Sequence, residues 1–298
     1  SFNNTIYNNT LGHFWSWDYF GVQMKNSHHN VIKKNTIKSL AVYGFGIHLI
    51  NSTKNLIVSN YIYDCNYGMI LEESSTCNTI VNNTLRSNFN GGINLYDSDF
   101  NLIIFNNVTK TEWGGVYFYQ SNNTIFRDNT LSKDGLMVYN SYRLSVENNT
   151  VNGKPLKYLE NEKNKIIAED CGEIILINCK NITVIDQDIT GSEYGIELWN
   201  TSNSTISNCS FSSTLHSIMR SEVYLAYSNN NLICGNTFNG YLDTGVKVLH
   251  SCGNEIFSNT FVRNDECVHL VYSYYNKIHN NTIVCRDTYG IVVSGSDH

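Results

Sequence analysis

A seven-residue phrase, glycine-apolar-x-apolar-x-x-serine, recurs along the chain and constrains the fold more than any other feature of the sequence. Residues 46–52 are a clean copy, and twelve copies begin about 23 residues apart. Every copy has apolar residues at its second and fourth places, which is the alternation of a strand with one buried face. The copies begin at Gly21, Gly46, Gly68, Gly92, Gly115, Gly135, Glu173, Gly195, Glu222, Gly245, Cys267 and Gly290. Such a repeat predicts a stack of similar supersecondary units.

A second phrase, Asn-x-Ile-x-x-Asn-x-apolar, follows the serine corner, as in residues 30–37 and 276–283. Three short strands per repeat, separated by polar corners, predict a coil that closes once every 23 residues or so. Coils that pair about 4.8 Å apart place equivalent asparagines above one another, where their amides hydrogen-bond along the column. We therefore predict an all-β fold, a single-stranded right-handed parallel β-helix (solenoid) of about 12 coils of about 23 residues.

The combined repeat resembles that of the NosD-like, carbohydrate-binding and sugar-hydrolase group of parallel β-helix proteins, the PbH1-repeat family, over nearly the whole chain. Residues 152–159, followed by 171–179 and 195–198, resemble an insertion of archaeal surface proteins of this group. The resemblance implies secretion and a surface setting, and it names no catalytic residue. It also raises copper handling, but the histidines and methionines are spread over separate coils, so we predict no metal site.

Composition excludes two classes of partner. Charged residues make up 15% of the 298 residues, the net charge is −6, and no basic stripe is present, which predicts no nucleic-acid partner. No apolar run approaches the roughly 20 residues of a membrane-spanning helix, so no membrane span is predicted. No signal peptide precedes the repeats, and a secreted protein would have lost it. We expect an extracellular or cell-surface location.

The repeats predict one elongated domain over residues 1–298. The step between Ser141 and Cys179 is about 15 residues longer than usual, which predicts an inserted loop at residues 152–170 that protrudes from the solenoid. Residues 11–20 are rich in aromatics and predict a loop folded over the first coil. The chain starts and finishes at the same corner without a polar cap. Either it is a segment of a longer protein, or its bare ends stack head to tail into a homo-oligomer or filament.

The third and fifth places of the phrase face away from the predicted core. The fifth place carries no charge in eight consecutive coils, from Tyr96 to Val271, and aromatic residues at the third place lie beside it, which together predict an apolar, aromatic-rich stripe. An exposed apolar stripe of this kind is typical of a partner surface, so we expect lateral self-association or stacking of glycans along it. The alternative is that these side chains tuck inward or that the insertion at residues 152–170 covers them. The predicted partner- or glycan-binding residues are Tyr96, Tyr117, Tyr119, Tyr139, Trp199 and Tyr224.

Glu73 and Asp97 occupy the same place in adjacent copies of the phrase. Carboxylates one strand spacing apart suit a retaining glycosidase, and they suit a Ca²⁺ ion equally. The alternative, which we favour, is an exposed structural corner, because asparagines fill that place in other coils.

Glycosylation sequons occur throughout the Asn-Asn-Thr repeats, and Asn51 and Asn200, at an outward corner, are the predicted acceptors. Nine cysteines without a CxxC pair leave the disulfide pairing open. We expect a structural β-helix protein that self-associates, end to end into a filament or along the stripe, or mediates adhesion. The alternative is an extracellular protein that binds or processes polysaccharide.

Overall fold

The computed structural model describes residues 1–13, 18–39, 43–112, 114–212, 221–240, 243–285 and 289–296. The chain divides into two compact units, Ser1–Gly153 and Lys154–His298, called here the N-terminal and C-terminal units. The described residues of both units form parallel strands and turns and contain no helix, so the predicted all-β parallel solenoid is confirmed. That the units form one domain stays a prediction. Phe14, Trp15 and Trp17 of the predicted covering loop lie outside the described residues.

The N-terminal unit stacks its strands in three parallel sheets. The first contains β1 Thr5–Tyr7, β4 Val31–Lys33, β7 Leu56–Val58, β10 Thr79–Val81, β13 Leu102–Ile104, β16 Ile125–Arg127 and β19 Ser145–Glu147. The second contains β2 Thr10–His13, β5 Thr36–Ser39, β8 Tyr61–Tyr63, β11 Thr84–Arg86, β14 Asn107–Thr109, β17 Thr130–Ser132 and β20 Thr150–Val151. The third carries the repeated phrase and contains β3 Asp18–Lys25, β6 Tyr43–Ile50, β9 Tyr67–Glu72, β12 Gly91–Tyr96, β15 Val116–Tyr119 and β18 Leu136–Tyr139.

The C-terminal unit has the same three-sheet arrangement. The phrase-bearing sheet contains β21 Lys154–Glu160, β23 Glu173–Ile177, β26 Tyr194–Trp199, β29 Ser221–Ala226, β32 Thr244–Leu249, β35 Glu266–Val271 and β38 Tyr289–Ser294. The second contains β22 Lys163–Ile167, β24 Lys180–Ile185, β27 Thr205–Ser207, β30 Leu232–Cys234, β33 Glu255–Phe257 and β36 Lys277–His279. The third contains β25 Asp188–Thr190, β28 Ser210–Ser212, β31 Thr237–Asn239, β34 Thr260–Val262 and β37 Thr282–Val284.

Strand register places equivalent apolar residues directly above one another. Ile47 pairs with Met69, and Met69 pairs with Ile93, each fully buried inside the solenoid. Val116 and Leu136 continue the same column in β15 and β18. The second and fourth places of the phrase therefore supply the core, as their alternation predicts.

Close packing between coils requires glycine at the opening place of most phrases. A Cβ on Gly68 would lie 2.6 Å from the carbonyl oxygen of Gly92 and 2.7 Å from a methyl carbon of Leu85. Counted from the phrase, the strands of this coil are β9, β10 and β11, and Leu85 lies in the third of them. The first place of the phrase therefore points toward the third strand of its own coil, where little room is left for a side chain.

Asparagine ladders run through the polar corners. The backbone N–H and the side-chain Nδ2 of Asn60 both donate to Oδ1 of Asn83, at 2.9 and 3.0 Å, and Asn83 donates in the same way to Asn106. Nδ2 of Asn83 also donates to the carbonyl of Ile57. Each buried amide thus satisfies polar groups of two coils at once, which confirms the predicted amide columns.

A serine column runs beside the ladders, and one of its residues is not the serine that the repeat predicts. The N–H of Ser52 donates to Oγ of Ser75, and the N–H of Ser75 donates to Oγ of Ser98. Ser75 therefore fills the place predicted for Ser74. The cause is an extra corner residue, because Glu73 and Ser74 both have positive φ and together form a wider turn.

The predicted protruding loop at residues 152–170 is wrong, because most of it forms strands of the C-terminal unit. In β21, Leu156 pairs with Glu173, and in β22, Lys163 pairs with Lys180. The long step between Ser141 and Cys179 suggested a loop, but the added residues form strands, and Lys154 forms an ion pair with Asp170 at 3.0 Å on the outside of the coil. The segment is an additional coil whose outer face is charged.

We expect Asn83→Ala to lower the free energy of unfolding of the N-terminal unit by about 3 kcal/mol or more. In a buried corner, the substitution removes the Oδ1 acceptor of the Asn60 backbone N–H and side-chain Nδ2, and it removes the amide that donates to the Ile57 carbonyl. Urea denaturation followed by circular dichroism measures the change. Asn107→Ala is the control, because Asn107 is exposed in the next coil and its loss should cost less than about 0.5 kcal/mol. Equal effects of the two substitutions would contradict a ladder that stabilises the fold.

Candidate functional site

Four tyrosines lie together on the outer face of the phrase-bearing sheet of the N-terminal unit. They project outward because the residues between them, Val116 and Phe118 among them, fill the core. The rings of Tyr119 and Tyr139 stack with centroids 5.0 Å apart, and Tyr96 meets Tyr117 edge to face at 5.7 Å. All four rings are partly exposed. This tyrosine cluster consists of Tyr96, Tyr117, Tyr119 and Tyr139.

Polar side chains border the cluster on one side. Burial raises the pKa of Tyr96, nearby Tyr67 and Glu72 raise it further, and a hydrogen bond from Asn94 opposes the shift. The Tyr96 hydroxyl therefore stays protonated and keeps both its donor and its acceptor capacity. Glu72 lies 2.8 Å from Nε2 of His48, whose ring is stacked against that of Phe45. The result is a patch of aromatic rings beside a carboxylate, an amide and an imidazole.

The predicted stripe does not continue as an exposed surface in the C-terminal unit. Trp199 is 4% exposed and Tyr224 is 8% exposed, so the prediction that these two residues form an open binding surface is wrong. The ring of Tyr224 is stacked on that of Tyr194 at 4.9 Å, and the ring of Trp199 packs edge-on against Tyr227 at 5.4 Å. A side chain that points outward from a strand is therefore not necessarily exposed to solvent.

The inserted segment lies beside the first residues of the stripe in this unit. In β21, Tyr158 lies beside Ile175 and Glu160 lies beside Ile177. Ile175 and Ile177 are both fully buried. Burial also raises the pKa of Tyr158, as does the neighbouring Glu160 carboxylate that accepts its hydroxyl hydrogen bond. The first coil of this unit thus shields the start of the stripe from solvent.

Glu73 and Asp97 lie at exposed corners of the N-terminal unit with φ of 50° and 46°. Asn51 has the same left-handed conformation in the preceding coil, with φ of 44°. This arrangement agrees with a structural corner. Over the described ranges, no group of three or more His, Cys, Asp or Glu side chains is placed to hold a metal ion.

The two predicted glycosylation acceptors are both exposed. Nδ2 of Asn51 donates to Asn26, and Nδ2 of Asn200 donates to Asn178, each at 2.8 Å. Each amide nitrogen has a second hydrogen outside that bond. Glycan attachment at these two residues stays a prediction.

An exposed aromatic column in the C-terminal unit was missed from the sequence. Tyr227, His250 and Tyr272 occupy the corner place that asparagine fills in other coils, and their rings stack at 5.2 and 5.3 Å. All three have positive φ, between 45° and 51°. Bulky residues rarely adopt this left-handed conformation. The signal in the sequence is an aromatic residue at the sixth place of three successive phrases, where other coils have asparagine.

A recess in the C-terminal unit gathers buried carboxyl groups that the sequence analysis also missed. Glu193, Glu222 and Asp243 line a space of about 20 Å³, which is large enough for one water molecule and too small for a sugar ring. Glu222 replaces the glycine that opens the phrase, and it accepts a hydrogen bond from Nδ2 of Asn264 at 3.0 Å. Its carboxylate fills the corner above Gly240, where a Cβ would lie 2.9 Å from Oε1 of Glu222.

Burial raises the pKa of Glu222 well above its usual range, and the nearby Asp243 carboxylate raises it further, although the bond from Asn264 opposes the shift. Oε1 of Glu222 has no hydrogen-bond partner among the described residues. A protonated carboxyl that completes a corner accounts for these contacts. We therefore assign the recess a structural role.

Comparison with known proteins gives the family of the chain. The family model described as "Right handed beta helix region" matches residues 1–109 and 114–283, and its handedness is the one predicted. The NosD-like group and the archaeal type stay predictions. No curated protein matches the sequence.

Similar solved structures include a mannuronan epimerase and an alginate lyase. One is the A-module of a mannuronan C-5 epimerase from Azotobacter vinelandii, with 13% identity, a TM-score of 0.47 and coverage of 99% of this chain and 90% of that chain. Another is an alginate lyase from Paenibacillus, with 12% identity, a TM-score of 0.35 and coverage of 97% and 99%. At these identities the likeness concerns the fold alone.

Within the described ranges, no helix has the length and apolar character needed to span a membrane.

We expect Glu222→Gln to flatten the pH dependence of stability of the C-terminal unit. The folded-state pKa of Glu222 is raised, so its contribution is fully present below the unfolded value near 4.5 and is lost as pH rises toward the folded value. Within that window each pH unit changes the free energy of unfolding by about 1.4 kcal/mol. Thermal unfolding midpoints across this range measure the slope.

Glu162→Gln is the control for this prediction. The Glu162 side chain is 40% exposed in the same unit and forms an ion pair with Lys165, three residues along the chain, at 3.0 Å. We expect it to leave the wild-type slope in place. If Glu222→Gln unfolds with the same pH dependence as the wild type, the assignment of a buried, protonated carboxyl to Glu222 is wrong.

Proposed function

Because the chain belongs to the right-handed β-helix family, we propose that it is an extracellular protein that binds a neutral polysaccharide along the outer face of its N-terminal unit. The observation that carries the proposal is the tyrosine cluster, in which four partly exposed rings from three successive coils are held side by side. Lateral self-association along the stripe and end-to-end filament formation, which the sequence also predicts, stay predictions.

Tyrosine suits a sugar ligand for a chemical reason. The axial C–H bonds of a pyranose form an apolar face that packs on the negative face of an aromatic ring, while the phenol hydroxyl reaches the sugar hydroxyls. The edge-to-face contact between Tyr96 and Tyr117 leaves part of their ring surface uncovered. A polysaccharide offers such faces at successive residues, as the cluster offers rings at successive coils.

The cluster is also rigid before any ligand arrives. Its side chains stand on strands paired on both sides, β12 with β9 and β15, and β15 with β12 and β18. Little conformational entropy is therefore lost on binding. A rigid aromatic surface favours recognition of a preformed polymer over folding around a partner.

Charge at the border of the cluster selects the class of polysaccharide. The Glu72 side chain is 33% exposed, and Glu72 and Tyr96 directly follow the paired residues Leu71 and Leu95, so the carboxylate lies beside the cluster. A uronate carboxylate placed over Tyr96 would be repelled by Glu72. We therefore expect neutral glucans or mannans to bind more tightly than alginate or polygalacturonate.

The test is a pair of substitutions in the cluster. We expect Tyr119→Ala with Tyr139→Ala to weaken binding of a soluble neutral polysaccharide about 10-fold or more, since each aromatic contact contributes roughly 1 kcal/mol beyond its buried area. Affinity electrophoresis in gels with a β-glucan, a mannan or alginate gives the comparison. Tyr61→Ala is the matched control, because Tyr61 is an exposed tyrosine on another sheet of the same unit.

Sedimentation velocity of the same variants separates the two functional hypotheses. A loss of glycan retention at unchanged mass supports polysaccharide binding. A loss of self-association without any glycan retention in the wild type would replace it with the assembly hypothesis.

A further inference from the structure

Two cysteines at the last complete coil of the C-terminal unit face each other across its interior. Cys267 occupies the first place of the phrase, where most coils have glycine, and it is fully buried. Cys285 follows β37 directly and packs, half-buried, against the core cluster that contains Cys267. The two thiols are hydrogen-bonded to each other.

The fold explains why these two thiols meet. A side chain at the first place of the phrase points toward the third strand of its own coil, as the glycines show. A Cβ on Gly245 would lie 2.7 Å from the ring of Phe261 in β34, the third strand of that coil. Cys267 is one coil further on, and the third strand of its coil is β37, which Cys285 follows. Sγ of Cys285 also lies 3.9 Å from the Cβ position of Gly290, the first place of the next coil.

Other buried thiols have different partners. Those of Cys65, Cys171 and Cys209 donate to backbone carbonyls two residues earlier in the chain, of Tyr63, Glu169 and Ser207. They occupy corner places of the ladders, where cysteine substitutes for a hydrogen-bonding residue.

We propose that Cys267 and Cys285 are a redox pair that forms a disulfide when the protein meets an oxidising environment. The oxidant is a small disulfide such as oxidised glutathione. The half-buried Cys285 sulfur attacks it, forms a mixed disulfide and releases one glutathione thiol. The Cys267 sulfur then attacks the Cys285 sulfur and releases the second glutathione thiol. Both protein thiol hydrogens end on glutathione, and two protein sulfurs are oxidised.

The surroundings set the rate and the effect of this step. Burial raises the pKa of the Cys267 thiol, and the hydrogen bond with Cys285 raises it further. Thiolate is therefore scarce at neutral pH, so the second exchange is slow and accelerates as pH rises. The disulfide joins β35 to the end of β37 and closes one coil on itself, which restricts the unfolded chain.

The test uses the intact chain, because its readout requires no variant to fold. The protein is incubated with oxidised glutathione at mildly alkaline pH, alkylated, and digested with trypsin without reduction. Cleavage after Arg263, Lys277 and Arg286 separates the two cysteines into peptides 264–277 and 278–286, each with a single cysteine. We expect these peptides to appear as one cross-linked species lighter by two hydrogen atoms, and to separate after reduction.

Stability and two variants complete the experiment. We expect the oxidised protein to unfold at a midpoint several degrees higher than the reduced protein, and dithiothreitol to reverse the shift. Cys285→Ser should abolish both the cross-link and the shift, whereas Cys77→Ser, at an exposed cysteine, should leave both in place. A persistent glutathione adduct on Cys285 without the cross-link, or cross-links that join Cys267 to other cysteines, would overturn the pairing.

Discussion

The buried side-chain amide is the interaction on which this structure depends. A parallel solenoid turns a sharp polar corner several times per coil, and each corner leaves backbone donors and acceptors away from water. One ladder of the N-terminal unit contains Asn35, Asn60, Asn83 and Asn106. Each of these side chains accepts two hydrogen bonds from the asparagine of the coil before, and each residue donates two to the asparagine of the coil after. The corner polar groups of one coil are therefore satisfied only when its neighbour is present. This requirement explains why the repeat preserves asparagine so strictly while its outward residues vary.

Much of the fold was predictable because the repeat encodes both the core and the corners. Alternation identified Ile47, Met69 and Ile93 as stacked core residues, and spacing identified the asparagine columns. The additional coil at residues 154–167 was missed because its glycine and asparagine are replaced and its outer face is charged. The displacement from Ser74 to Ser75 was missed because one inserted corner residue changes the register without changing the pattern of residue types.

The candidate site was predictable only in part, and burial is the reason. A strand pattern states which way a side chain points, so Tyr96, Tyr117, Tyr119 and Tyr139 were correctly placed together. It does not state what lies over that face, and Trp199 and Tyr224 proved to be buried beneath neighbouring rings. The acidic recess was missed for a related reason, since Glu222 stands in a place that the repeat reserves for glycine. The Glu222 carboxyl fits there because Gly240, in the corner above it, has no side chain.

The corner aromatics show how one physical cost is tolerated in a repetitive scaffold. A left-handed backbone costs a bulky residue about 1–2 kcal/mol relative to glycine or asparagine. Stacking of Tyr227 on His250 and of His250 on Tyr272 offsets part of this, at roughly 1 kcal/mol for each contact. The paired strands on either side over-determine the corner, so the strain persists without disturbing the core.

Hydrogen exchange of the asparagine side chains, measured by nuclear magnetic resonance, tests the central claim most directly. If buried amide ladders hold the coils together, the side-chain NH₂ groups of Asn60, Asn83 and Asn106 should exchange orders of magnitude more slowly than that of the exposed Asn107. Exchange of the ladder amides at the rate of Asn107, in a chain whose strands are otherwise protected, would contradict the account.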